Sequence, residues 1–185
     1  MIKATDILKN DHRVIERVLG ALEMGAARLR SGHPVRPGFF LDAADFIRSF
    51  ADGWHHSKEE RVLFPEMIAS GLPDDGGPIA VMLSDHERGR QLAAGMREAA
   101  EQLAGGDGSA VDGLARNSEE YVALMREHIA KEDGVLFPMA DQMYPAAEQE
   151  ALAEAFGRIE REEVGDAVHQ RYLGVAEALV AEAAR

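Results

Sequence analysis

Four clusters of glycine and proline divide the sequence into long segments that are rich in helix-forming residues. The clusters lie at residues 31–38, 71–78, 105–109 and 144–145. Valine and isoleucine do not alternate with polar residues over any strand-length run, so the pattern predicts no β-strand. The segments between the clusters predict five helices, over residues 5–30, 38–69, 79–104, 109–142 and 146–183. Because short connections join antiparallel neighbours, we expect an all-α protein: an up-down-up-down four-helix bundle with an additional C-terminal helix.

The length and hydrophobic content of the chain suit one core. Its 185 residues are 46% hydrophobic, which is enough to fill the interior of a bundle. We expect residues 1–142 to form the bundle and residues 143–185 to form a C-terminal helix that packs on it. Pro65 and Pro138 lie inside the second and fourth predicted helices, and each should kink its helix or end it early.

Charge and composition exclude several classes of function. The chain has 33 acidic and 20 basic residues, a net charge of −13, which argues against binding to nucleic-acid phosphates. It has no cysteine, so it forms no disulfide, thiolate metal site, iron–sulfur cluster or cysteine nucleophile. The sequence contains neither the apolar core of a signal peptide nor an apolar stretch that is long enough to span a membrane. We expect a soluble, cytoplasmic protein with no nucleic-acid or membrane partner.

A histidine interrupts the apolar face of each of the first four predicted helices. The apolar positions follow steps of three and four residues, and the interrupting residues are His12, His56, His86 and His128. A carboxylate follows one turn later in two helices, at Glu60 and Glu132. Counted from the connecting loops at about 1.5 Å per residue, the six positions differ in depth by roughly 3 Å. We therefore expect all six side chains to meet at one level inside the bundle.

Such a meeting is costly unless a metal ion binds the polar side chains. A histidine and a glutamate four residues apart share a helix face and can bind the same ion. Carboxylates that face imidazoles across a bundle suit a dinuclear iron or manganese centre. Four imidazoles and two carboxylates exceed the tetrahedral shell of one zinc ion. The pattern thus predicts a two-metal site, and a metal-free scaffold with buried histidines is the alternative.

Two similar segments point to a known family. The segments HSKEERVLFPEM (56–67) and HIAKEDGVLFPMA (128–140) both contain His-x-x-x-Glu and Leu-Phe-Pro, and residues 10–19 match 84–92 more loosely. Over about residues 5–142, these motifs resemble the hemerythrin-like (HHE cation-binding) family. The resemblance implies a four-helix bundle around a non-haem di-iron centre, bridged by carboxylates and an oxo or hydroxo group. It also implies iron-binding imidazoles at His12, His56, His86 and His128, and bridging carboxylates at Glu60 and Glu132.

Two departures from the oxygen-carrying hemerythrins bear on function. Those proteins have His-x-x-x-His on the third helix, whereas Arg90 follows His86 here, so one imidazole is missing. Their fourth-helix carboxylate lies five residues after its histidine, which makes Asp133 the alternative to Glu132. We favour Glu132 because it repeats the spacing of the second helix. An altered metal position is more typical of sensing, peroxide chemistry or iron handling than of reversible oxygen carriage.

The predicted fifth helix could supply the missing ligand or support the site. One of its faces carries Glu162, Asp166 and His169, and a competing stripe carries Phe156, Glu160 and Glu163. The sequence does not decide between these two faces.

Three residues beside the predicted ligands have less direct expected roles. Glu59 could lie behind the ligands, and His55, about 100° around the helix, is expected at a helix interface or in water. Arg90 is expected to pair with Glu16 near the site, where it could neutralise charge or hold an anionic ligand.

The leading functional hypothesis is a hemerythrin-like di-iron protein, with manganese also possible, that binds dioxygen, peroxide or nitric oxide. Its role would be sensing or peroxide and oxygen chemistry, and the sequence leaves enzymatic turnover open. The second hypothesis is an iron storage, delivery or iron-centre repair protein.

Overall fold

The computed structural model describes residues 3–161 and 165–185, and this part of the chain contains helices and no strand. The α-helices are α1 (Ala4–Arg30), α2 (Pro37–Phe46), α3 (Phe64–Ala69), α4 (Pro78–Ala104), α5 (Val111–Lys131), α6 (Phe137–Met143), α7 (Ala146–Ile159) and α8 (Asp166–Ala183). A short 3-10 turn (Gly108–Ala110) precedes α5. Three π-helical segments lie inside the longer rods: Ile47–His56, Glu59–Leu63 and Glu132–Leu136.

Four antiparallel rods form the bundle, which confirms the predicted fold class. The rods are α1, the continuous run from α2 to α3, α4, and the continuous run from α5 to α6. Around the bundle, α1 packs against α2, α2 against α4, α4 against α5, and α5 against α1. Pro65 and Pro138 do not end their rods, because each lies in the first turn of an α-helix that follows a π segment. A first-turn N–H needs no partner within the helix, so proline is tolerated there.

The C-terminal segment differs from the single predicted helix. It forms two helices, α7 and α8, and Gly165 before α8 has a φ of 76°. This left-handed conformation favours glycine and cannot continue a right-handed helix. Helix α8 packs on α1 and α2, where Tyr172 and Leu179 join the core of the bundle.

Two apolar layers fill the bundle and leave a polar layer between them. The larger layer lies at the end with the first and third connections and includes Ile15, Leu19, Phe50, Leu92 and Met125. The other layer includes Leu8, Leu63, Phe64, Met82, Leu136 and Phe137. The predicted histidines lie between these two sets along their helices, so the fold places them in the middle of the bundle. Among the described residues, no helix combines the length and apolarity that crossing a membrane requires.

Candidate metal centre

Seven side chains form the buried polar layer. They are at most 4% exposed, and they are His12, His55, His56, Glu59, His86, His128 and Glu132. Their ligand atoms form two groups, each with all atoms within 4.8 Å of one another: His56, Glu59, His86 and His128, and His12, His55, Glu59 and Glu132. Glu59 belongs to both groups. The Oε2 atom of Glu132 lies 3.2 Å from Nε2 of both His12 and His128, so each carboxylate faces both groups.

The structure brings together five of the six residues that the sequence predicts as ligands, and the exception is Glu60. Its carboxylate lies outside the cluster, where it accepts hydrogen bonds from Nδ1 of His86 (2.7 Å) and from Arg90 (2.6 Å). Glu59, expected behind the ligands, takes the inner position instead. His55, expected at a helix interface, joins it. Metal binding by these residues stays a prediction.

The π-helical segments Ile47–His56 and Glu59–Leu63 explain this correction. A π turn contains more residues than an α turn, because its hydrogen bonds join residues five apart. The 3.6-residue periodicity that selects Glu60 therefore does not hold in this rod. The adjacent side chains His55 and His56 are both buried, and Glu59 is the carboxylate that follows them into the interior.

One signal in the sequence could have identified the inner residues. The two Leu-Phe-Pro motifs are 73 residues apart, and the same offset without a gap pairs His55 with His128 and Glu59 with Glu132. An alignment that begins at His56 needs a gap of one residue before the shared motif. The ungapped repeat thus selects the residues that the structure buries.

A carboxylate faces the Nδ1 atom of every imidazole in the cluster. The pairs are His12–Asp133 (2.8 Å), His55–Asp11 (3.4 Å), His56–Asp52 (3.3 Å), His86–Glu60 (2.7 Å) and His128–Asp85 (3.6 Å). An Nδ1–H that points to a carboxylate orients the ring and leaves Nε2 as a metal ligand. The Nε2 atoms face one another across the centre, 3.0 Å apart in one pair and 3.1 Å in another. When the proton of each ring lies on Nδ1, the two Nε2 lone pairs repel at such distances, and a cation between the rings would remove that repulsion.

Most side chains of the centre occur twice, once in each half of the internal repeat. An offset of 74 residues pairs Asp11 with Asp85, and an offset of 73 pairs Lys58 with Lys131. The lysine donates to the aspartate in both halves, at 2.9 Å and 3.0 Å. Each half therefore contains the same chain of lysine, aspartate and imidazole.

His56 breaks this symmetry. Its counterpart in the repeat is Ile129, so only one half carries an additional imidazole. The ring of His56 stacks on His86 with 3.7 Å between centroids and completes a group of three imidazoles. The second rod thus supplies the imidazole that is missing from the third helix, where Arg90 stands.

Five buried ligand atoms lack a hydrogen-bond partner in the part of the chain that the structure describes. They are both carboxylate oxygens of Glu59, both of Glu132, and Nε2 of His56. A buried polar atom without a partner costs about 1–3 kcal/mol, and more when it is charged. A cation bound between these atoms would remove that cost. The residues present therefore fit a metal ion.

The ionisation of the cluster is strongly perturbed. Burial, together with the nearby carboxylate of Glu132, raises the pKa of Glu59 well above its ordinary value. Burial alone would raise the pKa of Glu132, but the surrounding imidazoles outweigh it and lower that pKa. Burial lowers the pKa of His55 to about 4 and that of His56 well below its usual range. Burial opposes protonation of His12, but the nearby carboxylates of Asp133 and Glu132 outweigh it and raise its pKa.

These shifts predict that metal affinity falls as the solution becomes more acidic. Glu59 and His12, whose pKa values are raised, must lose their protons before they can bind a metal ion. His55 and His56 are already neutral. We expect the affinity for ferrous iron to fall as the pH is lowered through the raised pKa values of these two groups, by up to about tenfold per unit for each displaced proton. Chelator competition at several pH values measures this slope, and an affinity independent of pH would contradict the prediction.

Of the three candidate ligands on one face of the C-terminal segment, His169 is the one whose side chain the structure describes, and it does not join the cluster. The ring of His169 stacks on Trp54 with 4.4 Å between centroids and on Phe50 at 5.7 Å, and it belongs to neither group of ligand atoms. Glu162, Glu163 and the side chain of Asp166 lie outside the described residues.

The competing stripe of the same segment reaches the centre indirectly. Glu160 lies 2.5 Å from the amino group of Lys58, and that group also donates to Asp11. Phe156 is fully buried in the smaller apolar layer. Glu160 thus supports an outer carboxylate through Lys58.

The expected pair between Arg90 and Glu16 does not form. Arg90 donates instead to Asp52 (2.8 Å) and to Glu60 (2.6 Å), and Glu16 pairs with Arg13 at 2.9 Å. Helices α1 and α4 lie at opposite corners of the bundle, since each packs against α2 and α5, and this explains the separation. Arg90 still neutralises charge, because its two partners both orient imidazoles of the cluster.

Comparisons with known proteins agree with this geometry. The family model described as the hemerythrin HHE cation-binding domain matches residues 3–140. An uncharacterized protein of Mycobacterium tuberculosis (strain H37Rv) is 30% identical over 91% of this chain and 66% of its own length. The iron-sulfur cluster repair protein YtfE of Dickeya chrysanthemi is 31% identical over 62% of this chain and 54% of its own length. The chain thus spans less than two thirds of either relative. No solved structure matches it.

Proposed function

The chain belongs to the hemerythrin HHE cation-binding domain family, and we propose that its buried polar layer holds two iron ions. The observation that carries this proposal is the set of carboxylate oxygens on Glu59 and Glu132. These oxygens are buried, lack hydrogen-bond partners among the described residues, and face imidazole nitrogens. A set of nitrogen and oxygen donors without thiolate is typical of non-haem iron, and manganese accepts it too.

The donor set divides between two ions. His56, His86 and His128 would bind one ion, and His12 and His55 would bind the other. Glu59 and Glu132 would bridge the two ions, since each faces both groups. The carboxylates behind the rings would hold each Nε2 in position and strengthen it as a donor.

Bound iron would supply the capacity to bind dioxygen, peroxide or nitric oxide and to change oxidation state. The protein's own residues would limit the access of bulk water, because all seven donors are buried between apolar layers. They would also supply charge balance, since Lys58, Lys131 and Arg90 pair with the outer carboxylates. This environment suits sensing or peroxide and oxygen chemistry.

Iron delivery or iron-centre repair is the second candidate function. It is favoured by the similarity to YtfE, whose name describes iron–sulfur cluster repair. This candidate predicts that iron leaves the loaded protein in the presence of an iron-accepting apoprotein, at a rate above that of spontaneous release. Retention of all iron under those conditions would reject it.

Metal content tests the proposed function directly. We expect two iron ions per chain by mass spectrometry after anaerobic reconstitution, with new charge-transfer absorption after addition of azide or peroxide. Absence of bound iron and manganese after reconstitution would reject the proposal and favour a metal-free scaffold.

A further inference from the structure

A cavity lies beside the group of three imidazoles. Its volume is about 280 Å³, and its lining extends from the buried rings of His56 and His86 to the exposed side chains of Arg48 and Arg97. A water molecule occupies about 30 Å³ of the liquid, so the cavity is much larger than a diatomic ligand requires. It approaches the size of small organic-ligand pockets, which begin at about 300 Å³.

The cavity exists because one half of the repeat carries small residues where the other carries large ones. The 74-residue offset pairs Ile15 with Gly89 and Leu19 with Ala93. Ile15 and Leu19 fill the core on the α1 side, whereas Gly89 and Ala93 line the cavity on the α4 side. The space therefore lies between the second rod and α4, beside the additional imidazole of His56.

The same offset also reverses two charges. Arg90 and Arg97 stand on α4 where α1 carries Glu16 and Glu23. Apart from the two imidazoles, the charged side chains that line the cavity are three arginines and Asp52. Arg90 is already paired with Asp52 and Glu60, so the positive charge that can favour an anionic ligand lies on Arg48 and Arg97.

The positive charge is concentrated at the outer end of the cavity. Asp45 lies 2.7 Å from Arg48, 3.6 Å from Arg97 and 3.9 Å from Arg171, so one carboxylate faces three guanidinium groups. Glu101, which lies 3.7 Å from Arg97, is largely exposed. Guanidinium groups bind carboxylates through paired hydrogen bonds, so this end suits a carboxylate ligand.

We propose that the cavity binds a small amphipathic carboxylate. Arg48 and Arg97 hold its anionic group, and its apolar body extends along Ala93 toward His56 and His86. Positions 86 and 97 are roughly 16 Å apart along α4. The long side chain of Arg97 covers part of this distance, and the remainder suits the hydrocarbon chain of a medium-chain carboxylate. The inference rests on the proposed metal centre for any chemistry, but not for binding, because neither arginine belongs to the cluster.

Octanoate is the probe, titrated into the purified protein by calorimetry while metal content is measured on the same sample. We expect one octanoate per chain. Acetate has no apolar body and 1-octanol has no charge, so each should bind at least about tenfold more weakly than octanoate.

Five variants, two of which are controls, locate the site. Ala93→Leu introduces the residue of the other half, and Ala94→Phe blocks the exposed side of the cavity, so both should lose measurable octanoate binding. Ala123→Phe, at an exposed position on α5, is the matched control and should bind normally. Arg97→Gln should weaken binding by about tenfold or more, whereas Arg116→Gln on the exposed face of α5 should not.

Three results would overturn the inference: no saturable octanoate binding, acetate binding as tightly as octanoate, or normal binding in both Ala93→Leu and Ala94→Phe. Failure of the proposed function is distinguishable. Octanoate binding in a protein that takes up no iron rejects the metal centre alone, and iron uptake without octanoate binding rejects this inference alone.

Discussion

Exchange of Glu59 for glutamine should abolish stoichiometric iron binding, whereas the same exchange at Glu60 should leave two iron ions per chain. Glu59 is fully buried and belongs to both groups of ligand atoms, and glutamine keeps only one of its two oxygens and none of its charge, so it cannot serve both groups. Glu60 orients His86 from outside the cluster. Loss of such an outer partner weakens metal affinity by about 10–100-fold, which saturating iron overcomes. Mass spectrometry after reconstitution and desalting measures the iron per chain.

Stability distinguishes loss of the site from loss of the fold. Folding raises the pKa of Glu59, so above its unfolded pKa this carboxyl destabilises the native state. Glu59→Gln should therefore raise the unfolding free energy of the iron-free protein at neutral pH while removing its iron. Two iron ions in Glu59→Gln, or none in Glu60→Gln, would contradict the assignment of inner and outer carboxylates.

The bundle could be predicted because its determinants are local. Glycine and proline clusters mark the connections, and residues between them are strong helix formers with an apolar face on each rod. Each predicted bundle rod agrees with the structure within two residues at either end. The break before α8 could not be predicted in the same way. Gly165 is a single glycine inside a helix-forming segment, and one glycine does not by itself indicate a left-handed backbone conformation.

The inner carboxylate could not be predicted from α-helical periodicity. His55 and His56 are adjacent, as are Glu59 and Glu60, so either register offers a histidine and a glutamate four residues apart. The choice depends on π turns, which arise from packing of the whole rod rather than from local propensity. The cavity could not be predicted from the sequence either, because it is recognised only when α1 and α4 are compared as equivalent helices of the repeat.

Replacement of Lys58 by methionine should lower the unfolding free energy by about 3–5 kcal/mol. The Lys58 side chain is completely buried, and its amino group lies 2.9 Å from Asp11 and 2.5 Å from Glu160. Asp11 is itself 7% exposed, so the substitution leaves a carboxylate in the interior without its cation. The methionine preserves most of the side-chain volume, so the cost reports the charge rather than a void.

The internal repeat provides the matched control. Lys131 makes the equivalent contact with Asp85 at 3.0 Å, but its side chain is 43% exposed. Solvent can replace this cation, so Lys131→Met should cost at most about 1 kcal/mol. Denaturant unfolding of the two iron-loaded variants measures the difference, and equal costs would contradict the role of burial.

A double variant tests whether Lys58 stabilises the protein mainly through its ion pair with Asp11. Combining Lys58→Met with Asp11→Asn removes both charges, so it should recover much of the stability that Lys58→Met loses. Glu160 lies outside the matched family range of residues 3–140, and its side chain is 29% exposed, so water can partly replace Lys58 as its partner. Full recovery of the unfolding free energy would therefore mean that Lys58 stabilises the protein mainly by neutralising the charge of Asp11. No recovery would mean that Lys58 acts mainly by joining the C-terminal segment to the bundle, and Glu160→Gln should then cost as much as Lys58→Met.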